Sequence, residues 1–71
     1  MKNKDDLLYN LIFGDKDEYE INLSDYLEEL YKYDRFIDEV KLILKKSKVT
    51  IVKEKLELDV KGPIWILKVK K

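Results

Sequence analysis

Seventy-one residues make one domain (1–71), near the size at which a single core only just suffices, and with neither cysteine nor histidine there is no disulfide or conventional zinc site to brace it. An apolar content of 45% argues against disorder despite 42% charged residues, and no apolar run approaches the roughly 20 residues of a membrane helix. The net charge of zero hides a division: residues 1–40 carry 12 acids against 5 bases (−7), and residues 41–71 carry 10 lysines against 3 acids (+7).

In chain order, a short helix fits residues 5–13, capped by Asn3 or Asp5 and closed by Gly14 in the left-handed position. The segment before it mixes Lys2 and Lys4 with Asp5 and Asp6, and Asn10 interrupts the apolar stretch Leu7–Phe13, so a signal peptide is not expected and the cytoplasm is the default location. Tyr19, Ile21 and Leu23 then alternate with polar residues at the period of a half-buried strand. Asn22 or Ser24 starts a long helix to about Lys46, with Tyr26, Leu30, Tyr33, Ile37, Val40 and Leu44 on one face. That apolar stripe drifts to the other side in its second half, which calls for a kink near Asp34-Arg35 or for two helices.

From Lys48 the period becomes two. Val49–Val52 is either a separate strand turning at Lys53-Glu54 or part of a continuous strand with a bulge at Glu54. A loop at Lys61-Gly62 sets Leu58 opposite Trp65 and Leu56 opposite Leu67, with the indole in the core. A loop one residue longer sends Trp65 outward, and the first register is preferred because it buries the larger apolar set. The fold class is therefore two-layer α+β: short helix, strand, long helix, then an antiparallel β-hairpin or three-stranded meander.

Chemistry-bearing patterns are few. The only non-phenolic hydroxyls are Ser24, Ser47 and Thr50, which read as a cap, a turn and a strand residue, so no nucleophile and base pair up and no enzyme is expected. Asp15, Asp17, Glu18 and Glu20 miss the calcium-loop pattern, since Tyr19 holds its fifth place and Glu20 its glycine place. Neither metal nor cofactor is expected, nor a small-molecule substrate or a membrane partner. Tyr9, Tyr19, Tyr26, Tyr31, Tyr33 and Phe36 are read as packing residues, with only Tyr31 partly off the stripe.

Two surfaces remain. Leu42, Val52, Ile64 and Ile66 are apolar positions left outside the core, the mark of a contact with another protein or with a second copy. Lys48, Lys53, Lys55, Lys68, Lys70 and Lys71 cluster on the hairpin, with Lys55 expected opposite Lys68 and Lys53 opposite Lys70. They read either as charges that deter edge pairing or as contacts to nucleic-acid phosphates, with Trp65 a stacking group if it points outward. A non-catalytic, self-associating protein-interaction module is the first reading, and nucleic-acid binding by the lysine-rich hairpin is the alternative.

Overall fold

The computed structural model describes residues 2–71. Asn3 caps helix α1 (Lys4–Phe13) by accepting the Asp5 N–H at 2.8 Å, and Asp5 and Asp6 sit at the positive end of the helix dipole. Leu7, Leu8 and Leu11 form the buried face. Gly14 closes the helix at φ −70° and ψ 163°, an extended conformation and not the expected left-handed one. It is glycine for want of space: a Cβ would stand 2.9 Å from the Tyr19 hydroxyl and nearer still to the Asn10 carbonyl. That hydroxyl donates to the same carbonyl at 2.9 Å, so the helix end is stitched to strand β1 (Glu18–Asn22).

The long helix expected from Ser24 is broken. Leu23–Asp25 and Leu30–Lys32 are single 3-10 turns, and the continuous helix α2 covers Tyr33–Lys46. The interruption that the drifting stripe calls for, as a kink or as two helices, is present, but it lies at residues 26–29 and not at Asp34-Arg35. Its physical reason is packing. Leu23 is fully buried, and Tyr26 stacks on Phe36 with ring centroids 5.7 Å apart. In one straight helix those two residues would be separated by roughly 15 Å.

The carboxyl end of α2 is closed by a left-handed residue. Lys48 has φ 62°, the Val49 N–H donates to the Leu44 carbonyl at 2.9 Å, and the Lys48 N–H donates to the Lys45 carbonyl at 3.1 Å. This is a Schellman motif with lysine where glycine is preferred, and buried Val49 and Leu44 supply its apolar contact.

Three antiparallel strands follow the order β1-β3-β2, so the last strand, β3 (Gly62–Lys70), is central. The amino-terminal strand thus completes the sheet, in place of a carboxyl-terminal meander. Strand β2 (Thr50–Asp59) is continuous, and its bulge falls at Val52, between Ile51 and Lys53, instead of at Glu54. The turn is Val60-Lys61, with Asp59 paired to Gly62. Asp59 accepts the Val60 N–H at 2.8 Å through its side chain, and Gly62 takes φ 112°, which disfavours any residue with a Cβ.

Relative to the expected loop at Lys61-Gly62, this turn slides β2 by two residues. Leu56 now opposes Trp65, and Leu58 opposes Pro63. A slip of two keeps every side chain on its face, so Trp65, Leu67 and Val69 still point into the core with Ile21 beside them. Its effect is on Leu56 and Leu58, which move toward the turn.

Both helices pack on the inner face around Leu11, Leu23, Val40, Leu44, Trp65 and Leu67, all fully buried or nearly so. The Trp65 indole N–H is buried and has no hydrogen-bond partner among the described residues. Among the described residues no helix is long and apolar enough to cross a membrane.

Candidate protein-interaction surface

Ten residues of strand extend roughly 33 Å. The 14 residues of α2 cover roughly 21 Å of that length. The 3-10 turns cover β3 as far as its start, where Pro63 is buried and a Cβ on Gly62 would touch Leu30 and Ser24, but the distal half of edge strand β2 is left open. Lys41 on α2 meets Glu54 on β2 at 2.7 Å. Beyond it the inner face of β2 is bare: Leu56 is 41% exposed, Leu58 86%, and Val60 at the turn 98%. The alternation places Leu56 and Leu58 in the core, because it reports a face of the strand but not what covers it.

The four apolar positions expected to form one contact do not converge. Ile64 and Ile66 are half-buried on the outer face of β3, in rows with Asn22 and Glu57 and with Glu20 and Lys55. Val52 is exposed at the bulge, and Leu42 is exposed on α2 in the other layer. Leu42 instead borders a shallow hollow with Lys41, Lys45, Val49 and Ile51, on the side of α2 that faces β2. It belongs with the bare inner face of β2 more than with the two isoleucines.

The lysines gather only in part: Lys68, Lys70 and Lys71 line a shallow hollow with Lys16, where Asp15 and Asp17 accompany them. Because of the two-residue slide, Lys53 opposes Lys68, Lys55 opposes Ile66, and Lys70 opposes Thr50. Glu18 flanks Lys68 from the other side, and Lys55 lies 2.6 Å from Glu57. Lys71 donates to the Gly14 carbonyl, with its ammonium 5.9 Å from the centre of the Tyr19 ring, and Lys48 is taken up in the helix-ending turn. Acids thus interleave with lysines on the outer face. Trp65 is 1% exposed, so the register that would turn it outward is not adopted.

The division of charge between the halves is not bridged by ion pairs. The five pairs among the described residues each join residues of the same half, and all lie at the surface, where such pairs contribute little. Two of them move a carboxyl group. The Tyr31 hydroxyl, then Lys32, hold Glu29 below the usual carboxylate range, while Glu29 raises Tyr31 in return. The hydrogen bond from Lys4, then its charge, lower Glu39.

The acids Asp15, Asp17, Glu18 and Glu20 do not converge: among the described residues no three carboxylates gather closely enough to hold a metal ion. Of the aromatics, Phe36 is buried and Tyr19, Tyr26 and Tyr33 pack against the core. Tyr31 is exposed, but so is Tyr9, which pairs with exposed Phe13 at 5.1 Å and is not the packing residue it was read as. The buried leucines at 7, 8 and 11 claim one face of α1 and leave positions 9 and 13 on the other.

No family model, no curated protein and no solved structure matches this chain.

Proposed function

We propose that this chain is a non-catalytic, cytoplasmic protein-interaction module (an adaptor, small inhibitor or assembly subunit) that receives its partner on strand β2. The observation that carries the reading is the open edge: an edge strand with unpaired backbone groups whose inner face shows Leu56 and Leu58 to solvent, with exposed Val60 beside them in the turn. An edge strand offers its free N–H and C=O groups to an added strand, and neighbouring apolar side chains give such an addition affinity. A small monomer that keeps an apolar surface of this kind uncovered is marked for contact. What supports the non-catalytic part is the residue inventory, with no histidine and no cysteine.

Photo-crosslinking in the native cell tests the reading, with p-benzoylphenylalanine at Leu58 and, as the control, at exposed Asp6 on α1. Protein adducts at position 58 well above those at position 6 are expected. Equal yields at the two positions refute it. Nucleic-acid adducts at 58 in place of protein would favour the lysine-rich hairpin as a phosphate-binding surface.

A further inference from the structure

The charges of β2 are antisymmetric about one residue. Reading along the strand, Lys53 and Lys55 precede Leu56, and Glu57 and Asp59 follow it at the same spacings. All four charged residues lie on the outer face, because Lys53, Lys55, Glu57 and Asp59 alternate with the inner-face residues Glu54, Leu56 and Leu58. The strand is a sheet edge, the bulge at Val52 lies outside this segment, and the segment contains no proline.

We propose that two copies of this chain pair antiparallel along β2, with Leu56 on the two-fold axis. The proposal rests on the interaction reading above and names its partner. In that register Lys55 opposes Glu57 of the other copy, and Lys53 opposes its Asp59. Each pair occurs twice, so every charge on the outer face meets its opposite.

Antiparallel pairing keeps faces only when the register moves in steps of two. One step one way puts Lys55 opposite its own copy, and one step the other way puts Glu57 opposite its own copy. Two steps set Lys53 against Lys55, or Glu57 against Asp59. Like charges directly across a ladder repel, so of these registers only the one with Leu56 on the axis is free of a like-charge pair and keeps all four opposite-charge pairs. On the inner face that register brings Leu56 against Leu56 and sets Leu58 across from Glu54, whose carboxylate is already held by Lys41. A two-fold perpendicular to the sheet keeps both helical layers on one side. The exposed leucines of both copies then floor a trough between the two α2 helices, with Leu42 on its walls.

A chain without cysteine permits a direct reading of the axis. A residue on the two-fold faces itself across the ladder at roughly 4.5–5.5 Å between Cα atoms, within disulfide reach, whereas residues two positions away are not. Leu56→Cys should therefore oxidise to a covalent dimer, while Glu54→Cys and Leu58→Cys should stay monomeric. Leu56 is part-exposed, so the variant is expected to fold, and its Trp65 fluorescence checks that it does.

The charges are tested with Leu56 intact. Lys55→Glu alone and Glu57→Lys alone should each weaken the dimer by roughly tenfold or more in sedimentation. Mixed together, the two variants should form a heterodimer, because each supplies the charges the other lacks. Disulfide formation at position 55 or 57 in preference to 56 overturns the register. A wild-type chain that remains monomeric at its highest soluble concentration overturns self-pairing. If position 58 still crosslinks to a different protein in the cell, the interaction reading stands without the dimer. If it crosslinks to nothing, both fall.

Discussion

Leu67→Ala and Leu58→Ala make the sharpest test of the hairpin register. Both are leucines on inner-facing strand positions, and simple alternation treats them alike. In the structure Leu67 is 0% exposed and Leu58 86%. Truncating a fully buried leucine costs about 2–5 kcal/mol through lost transfer energy and the cavity left behind. A domain of this length holds about 4–11 kcal/mol in total, so Leu67→Ala removes a large share of it. The melting temperature should fall by roughly 10–30 °C. Leu58→Ala, which has little burial to lose, should stay within about 0.5 kcal/mol. Urea unfolding followed by Trp65 fluorescence measures both, at a concentration where sedimentation shows monomer, so that pairing along β2 does not contribute. Comparable losses in the two variants would refute the two-residue slide and return Leu58 to the core.

Other outcomes follow from the turns, the caps and the charges. Lys48→Gly relieves the left-handed backbone at the end of α2 and should stabilise the protein by about 1 kcal/mol in urea unfolding. Gly62→Ala should destabilise by about 1–2 kcal/mol because of its positive φ, although the added Cβ would meet only ordinary contacts with Leu30 and Ser24, with Gly62→Asn milder. Gly14→Ala should also destabilise, by collision with the Asn10 carbonyl, and Asn should not rescue it. Asn3→Ala removes the cap of α1 and should cost about 1 kcal/mol. Glu39 titrates lower in the folded chain than in the unfolded one, so its contribution is complete above the ordinary carboxylate range and is lost as pH falls through its lowered value. Lys4→Met should flatten that part of the stability-against-pH curve, and added salt should shrink the difference.

Much of the architecture was legible because it rests on period and punctuation. The α1 span, the strand at Tyr19–Ile21, the face of β3 that carries Trp65, Leu67 and Val69, and the helix-to-strand change near Lys48 all follow from spacing that each segment states for itself. Of the surface, the sequence marks Leu42 and Val52 as unhoused, and both are exposed. It does not mark Leu56 and Leu58. A strand's alternation tells which side chains share a face, and the length of the layer packed on that face decides which of them are covered.

Three features were placed by the tertiary structure. The helix breaks at residues 26–29 because Leu23 and Tyr26 fold onto the core, a contact with Phe36 that local propensity does not encode. The hairpin closes at Val60-Lys61 because Asp59 and Gly62 suit the first and last places of the turn, and a register two residues away would have kept the same faces. The central position of β3 comes from β1, some forty residues earlier, pairing along its far side and leaving β2 as the edge. The order of charges Lys53, Lys55, Glu57 and Asp59 is written in the sequence, but only that topology exposes it to a neighbouring strand. Local rules set the period of each segment, and long-range pairing set which of its sides was left open.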